Sequence, residues 1–306
     1  MSLLKILVLA IIQGLAELLP VSSSAHVVVA EKLMGLNVSS PQMTLLLVML
    51  HTGTMFAVIV YFWGTWKRAY FSSWERFRDV VGKLIFATVL TGLIGGGIIE
   101  GIKHTVLKNV PHAQIEDIFG RLNWVAPALL AAGILILLAG LLRRGEDLET
   151  RPIERQRPMS GGQAGWIGAI QGICLPFRGF SRSGATISTG MLVGVSRQQA
   201  ETFSFALAVI LTPAAIVKEV LRVVHERHAH LAPQAASAMT SAASSSGITV
   251  HGIFLPSLLG MVFSFIAGLV ALRWLSGWLE NGRWYLFGIY CIVASIVVWR
   301  LYLHGF

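Results

Sequence analysis

The chain has 306 residues, 55% of them hydrophobic and only 13% charged, with a formal net charge of +9 and a mean hydropathy of +0.69. This composition excludes an ordinary soluble globular protein and points to a polytopic membrane protein. The Lys and Arg residues lie mostly in short loops between apolar runs, and no basic domain or recognition motif supports nucleic-acid binding. Cys174 and Cys291 have neither metal-site spacing nor a disulfide framework.

In chain order, the first apolar region covers about residues 2–37 and is split by Pro20 and Ser22 to Ser24. No Ala-x-Ala cleavage site follows a clean apolar core, so this region reads as part of the mature fold rather than as a signal peptide. Each half is too short to span a bilayer, which predicts a re-entrant helical hairpin whose tip is buried in protein or faces a water-filled cavity. Three spans are expected next, at about residues 43–64, 84–102 and 122–142. A second split region, 161–196, is broken by Pro176, Gly179 and Ser181 and predicts a second hairpin. Three further spans are expected at about 200–221, 252–273 and 284–303.

Lys67, Arg68, Arg76, Arg78 and Lys83 follow the first span, and Arg143, Arg144, Arg151, Arg155 and Arg157 follow the third. The positive-inside rule places both loops in the cytoplasm and both termini outside. The Ala-, Ser- and His-rich stretch from His225 to Val250 reads as a flexible outer loop, with His225, His228 and His230 solvated rather than ligating. The expected architecture is therefore an all-α integral membrane protein with six transmembrane helices and two re-entrant hairpins. These fall into two inverted-topology repeats, 1–150 and 151–306, whose polar tips meet near the membrane middle.

The tips carry the chemistry. Both begin with Gln-Gly, pass a Pro and end in a serine-rich turn. Gln13 and Glu17 are one helical turn apart and share a face. Glu17, partly desolvated and facing Arg182, is placed to act as a base or, with Gln13, to bind a divalent cation. Ser22 or Ser23 is suited to cap the second helix, and His26 lies three to four residues on, so a serine hydroxyl and an imidazole share a side. In the second tip, Ser181, Arg182, Ser183 and Thr186 open a short helix whose free N–H groups favour an anion, and Arg182 adds a planar fork for phosphate oxygens. His51, Thr52 and Thr54 either line the cavity or make helix-packing hydrogen bonds.

These residues resemble the undecaprenyl-diphosphatase family of the BacA/UppP type. Its first signature, (Glu/Gln)-Gly-x-x-Glu followed by Pro-x-Ser-Ser-x-x-His, is met by Gln13, Gly14, Glu17, Pro20, Ser22, Ser23 and His26. Its second, Pro-Gly-x-Ser-Arg-Ser-Gly-x-Thr, is met from Gly179 to Thr186, with Arg178 where the family usually has Pro. The resemblance implies a membrane phosphatase that removes the terminal phosphate of undecaprenyl diphosphate, assisted by a divalent cation (Mg or Ca), in the bacterial inner membrane and with the site facing outward. The family is associated with bacitracin resistance. By position, the resemblance implies catalytic roles for Glu17, Ser23, His26 and Arg182, and phosphate contacts for Ser181 and Thr186. Ser22, Ser183 and Arg178 are further candidate phosphate contacts, and Arg178, which departs from the family pattern, either gives the loop a second cation or only a different bend.

Two other readings stand beside this one. Inverted repeats with broken helices suit a polyprenyl-phosphate transporter or flippase equally well, but a pure carrier has no need of a Glu-Ser-His set beside a phosphate clamp. An intramembrane serine protease has no use for Arg182. The other membrane lipid-phosphatase design needs a His five residues beyond its Ser-Arg pair, and Ser181-Arg182 has none. A homo-oligomer is left open.

Overall fold

The computed structural model describes residues 2–36, 41–105, 121–143, 153, 156–237, 250–279 and 283–305. Arg144, Arg151 and Arg155 of the basic loop, residues 238–249, and the side chains of His225, His228 and His230 lie outside the described residues. The described residues form ten helices, with no strand among them: α1 Leu3–Leu18, α2 Ser23–Leu33, α3 Pro41–Ala69, α4 Trp74–Thr105, α5 Leu122–Leu142, α6 Gly161–Cys174, α7 Arg182–Leu192, α8 Arg197–Ser237, α9 Val250–Leu279 and α10 Tyr285–Leu303. The protein is an all-helical integral membrane protein. Five helices, α3, α4, α5, α9 and α10, carry stretches of 19 to 32 residues long and apolar enough to cross a bilayer. Their outward faces expose Ile, Leu, Val and Phe, as a lipid solvent permits.

The sixth expected span, 200–221, lies inside α8, which is not among these five, and some of its side chains lie outside the described residues. The predicted loop from His225 is helical as far as Ser237. Its alanines and long-chain residues favour helix, and reading the stretch as linker underweighted them.

Local chemistry accounts for both breaks. Leu19 precedes Pro20 and is extended (φ −77°, ψ 150°), as steric contact with the proline ring favours, and this ends α1 at Leu18. α6 opens on a capping box in which the Ser160 hydroxyl and the Gln163 side chain satisfy each other's backbone N–H groups. It closes at Cys174, just before Leu175-Pro176. α7 then starts at Ser181, whose Oγ accepts the Gly184 N–H.

The two hairpins are wedged between the long helices. α1 packs on α9 and α6 packs on α4, so the entering arm of each hairpin leans on a span from the other half of the chain. The contacts match residue for residue. A Cβ added at Gly14 would stand 2.8 Å from the Ser264 carbonyl and 3.0 Å from the Gly268 nitrogen; one at Gly172 would stand 2.9 Å from the Thr91 carbonyl and 3.1 Å from the Gly95 nitrogen. A hydroxyl braces the second crossing, where Thr91 donates to the Gly168 carbonyl (2.9 Å), whereas Ser264 ties α9 to α3 by donating to the Leu50 carbonyl (2.9 Å). The α3–α9 and α5–α10 pairs frame the hairpins and complete the core.

Gly179 turns the second tip with φ +103°, and a Cβ there would lie 2.4 Å from the Val125 carbonyl oxygen. Its N–H donates to Ser24 Oγ (3.3 Å), joining the two tips. Gly179→Ala is expected to add about 1–3 kcal/mol of backbone strain to that clash, lowering the melting temperature in detergent. Unchanged thermal unfolding would show that the loop relaxes freely.

Candidate active site

The two tips enclose a cavity of about 190 Å³. The first contributes Glu17 and Ser22 to Ser24, the second Gln171, Cys174 and the loop from Arg178 to Ser183, and α3 adds His51. Glu17 is the centre. Its Oε2 accepts the Ser23 hydroxyl at 2.5 Å and the Gln13 amide at 3.1 Å, while its Oε1 accepts Nη2 of Arg182 at 3.0 Å. Burial opposes the charge on this carboxylate, whose side chain is only 15% exposed, and the guanidinium and the hydroxyl offset that cost. Nε2 of His51 stands 3.8 Å from Oε2.

Arg182 has a second property of consequence. Its Nη1 is buried without a hydrogen-bond partner, although Nη2 is committed to Glu17. Gln171 Oε1 is a second unpartnered polar atom among the cavity residues. Arg182 and Ser183 are the first two residues of α7, where backbone N–H groups precede the first intrahelical acceptors. The cavity thus presents donors for an anion on one wall and a carboxylate-bound serine hydroxyl on the other.

Not every residue expected at the site faces it. Ser22, Ser23, Arg178, Ser181, Arg182 and Ser183 line the cavity with Glu17. Gln13 is buried behind Glu17 and turns its amide onto it. Ser183 Oγ donates to the Leu19 carbonyl (3.4 Å), and Ser181 Oγ is occupied in capping α7. Thr186 lies outside the cavity lining, with Oγ1 bonded to the Arg182 carbonyl (2.8 Å) and the Ser204 hydroxyl (2.6 Å), where it ties α7 to α8. The reason is depth along the helix: Thr186 shares a face with Arg182 but sits a full turn, about 6 Å, further from the tip, where its hydroxyl is satisfied by the Arg182 carbonyl and Ser204. His26 is also outside the lining, with Nδ1 against the Ser22 carbonyl at 2.7 Å and Nε2 against the Tyr290 hydroxyl at 2.6 Å. The expected Ser–His approach is replaced by a Ser–Glu one.

His51 reaches the cavity, whereas Thr52 and Thr54 bond back to carbonyls of their own helix. Among residues the sequence reading left out, Gln171 was signalled by its Gln-Gly repeat of Gln13-Gly14. Cys174 and Tyr290 had no such signal.

The model of the family described as bacitracin resistance protein BacA matches residues 6–297. A protein named undecaprenyl-diphosphatase 2 from Acinetobacter baylyi is 54% identical over 98% of both chains. Another of that name from Burkholderia orbicola is 31% identical over 97% of this chain and 95% of its own. An undecaprenyl-diphosphatase from Korarchaeum cryptofilum is 29% identical over 98% of this chain and its own full length.

Proposed function

This chain belongs to the BacA bacitracin-resistance family, and we infer that it is an integral-membrane undecaprenyl-diphosphatase. It converts undecaprenyl diphosphate to undecaprenyl phosphate and inorganic phosphate, which recycles the carrier lipid for peptidoglycan synthesis and underlies bacitracin resistance. It is a multi-pass protein of the bacterial inner membrane. The observation that carries the site reading is the Glu17 carboxylate, shared between Ser23 of one tip and Arg182 of the other.

In the reaction we assign to this cavity, the polyprenyl tail stays among the apolar helices and the diphosphate enters between the tips. Nη1 of Arg182 and the start of α7 take the phosphate oxygens, with Arg178 as a second cation on the same wall. Ser23 Oγ attacks the terminal phosphorus as its proton passes to Glu17. The anhydride P–O bond breaks, and undecaprenyl phosphate leaves as a stabilised anion that needs no added proton. Water then attacks the phosphoserine. Glu17 returns its proton to Ser23 Oγ as that bond breaks, and the proton of the water leaves with inorganic phosphate.

A divalent cation such as Mg²⁺ or Ca²⁺ belongs to this reading. Mg²⁺ typically takes one or two carboxylates plus substrate phosphates, and Glu17 is a carboxylate of that kind, with Gln13 orienting it. When bound, the ion neutralises charge on the diphosphate.

The finer architecture is also proposed here: two inverted repeats, 1–150 and 151–306, each a re-entrant hairpin with three spans, with α8 supplying the sixth. The matched Gly14 and Gly172 crossings support it. The basic residues after the first and third spans favour cytoplasmic loops, both termini outside and a cavity open to the outer side.

Ser23→Ala separates attack by serine from direct attack by water. We expect phosphate release to fall by about 10²–10⁴-fold, and rapid acid quenching of the unsubstituted enzyme to trap phosphate on Ser23. Full activity in Ser23→Ala ends the covalent route and leaves Glu17 as the base for water.

A further inference from the structure

The pair formed by His26 and Tyr290 has no part in the reaction above, yet its geometry is specific. A carbonyl oxygen only accepts, so the 2.7 Å contact to Ser22 places a proton on Nδ1 of His26. In the neutral ring Nε2 then carries the lone pair, and it accepts the Tyr290 hydroxyl at 2.6 Å. The two rings also stack, with centroids 5.7 Å apart and planes 10° off parallel. Both imidazole nitrogens are thereby engaged, and neither is left to take a proton from Ser23, whose hydroxyl goes to Glu17.

What His26 holds is unusual backbone. Ser22 is the sole non-glycine residue with positive φ among the described residues (φ 65°, ψ 90°). It sits at the N-cap of α2 and makes no side-chain cap bond. What holds the turn instead is its carbonyl, which accepts from His26 Nδ1 beside the ordinary first-turn bond from the His26 backbone N–H (3.4 Å). This conformation aims the next residue, Ser23, at Glu17. Tyr290 is the other half of the device. Tyr290 is 46% exposed beside Ile289 and Val293 on the apolar surface of α10, where a lipid-facing hydroxyl gains most from an internal partner. Bonding to Nε2 satisfies it and fixes the imidazole tautomer from a residue 264 positions away.

We propose that His26 is a positioning residue, locked by Tyr290, that holds the strained Ser22 turn and so sets the Ser23 hydroxyl against Glu17. This rests on the reading of Ser23 and Glu17 given above. It also separates His26 from the general-base role that its spacing and the family resemblance suggest.

The test uses kcat and KM for phosphate release from undecaprenyl diphosphate by full-length variants purified in detergent. Asparagine carries an N–H donor where histidine has Nδ1, but it has no counterpart of Nε2. His26→Ala is expected to lower kcat by about 10²-fold, the cost of a displaced reacting group. His26→Asn should recover most of that loss, ending within about tenfold of the native enzyme, as a retained single hydrogen bond allows. Tyr290→Phe should cost about 2- to 10-fold in kcat, the worth of one hydrogen bond, and nothing further when added to His26→Asn. KM is expected to stay within about threefold in all four, because none of these groups touches the diphosphate.

A His26→Asn enzyme as impaired as His26→Ala, or a Tyr290→Phe loss that adds in full to His26→Asn, overturns the proposal. Where His26→Ala does not fold, a loss above about 10²-fold in His26→Asn does so alone. Glu17→Gln assayed in the same series keeps the two readings apart. Activity retained there defeats the Ser23–Glu17 assignment, whereas failure of asparagine rescue with Glu17→Gln inactive defeats only the role of His26.

Discussion

Replacing Glu17 by glutamine is expected to reduce kcat for phosphate release by about 10³-fold or more, the range for losing a general base, while KM for the diphosphate holds steady or falls. The split follows from what the side chain touches. Glutamine keeps the shape and still accepts a hydrogen bond from Ser23, but its amide cannot take the hydroxyl proton, so the reacting oxygen is no longer activated. It also removes the counter-charge of Arg182, whose Nη2 bonds to Glu17 at 3.0 Å. The freed guanidinium has one partner left to find, the phosphate, and ground-state binding gains where the reaction loses. Cutting a fully buried pair costs about 3–5 kcal/mol, but the Arg182 side chain is 26% exposed and a smaller loss in thermal stability is expected. A kcat within tenfold of the native value would remove Glu17 from the proton path. A large rise in KM with kcat unchanged would make it a binding residue only.

The same contacts show what a single chain can and cannot disclose. Pro20 breaks its helix through local sterics at the extended Leu19, and Pro176, which has no N–H to continue α6, follows a Leu175 that is still helical, so the breaks around both prolines were legible, as was α5, expected and found at residues 122–142. The meeting of the tips was legible too, because a Glu and an Arg each placed in an apolar run need partners. Ring orientation was not. Spacing places His26 on the same side of α2 as Ser22 and Ser23, and the imidazole serves a backbone carbonyl there as readily as a hydroxyl. What decides is Tyr290, which lies in an apolar run on α10 with nothing local to mark it. Thr186 gives the same lesson: it opens the right helix, but its partner is Ser204 on α8, a tertiary fact. The swapped docking of α1 on α9 and α6 on α4 was also hidden, because glycines 14 and 172 mark close approach without naming what approaches.

Arg182→Lys retains the charge and tests whether charge is sufficient. On the assignment made above the guanidinium does two things at once from one rigid plane: Nη2 is bonded to Glu17, and Nη1, buried and unpartnered, is the donor assigned to a phosphate oxygen. A lysine ammonium is a single point at the end of a flexible stem, so it serves the carboxylate or the phosphate but does not hold the two in fixed relation. Nor do the serine hydroxyls of that wall replace it: Ser181 Oγ is committed to capping α7, and Ser183 Oγ is turned to the Leu19 carbonyl. The expected fall in kcat/KM is about 10²–10³-fold, the usual cost of removing one preorganised donor to a reacting oxyanion. Arg182→Ala is expected to fall further, since it also leaves the Glu17 carboxylate buried without its cation. Free guanidinium added to Arg182→Ala at millimolar concentration should restore part of the lost rate, because the truncation opens room beside a cavity of about 190 Å³. Free methylammonium should restore less. Activity within threefold of native in Arg182→Lys would mean that the second tip contributes only positive charge, and that the unpartnered Nη1 has no role in holding the phosphate.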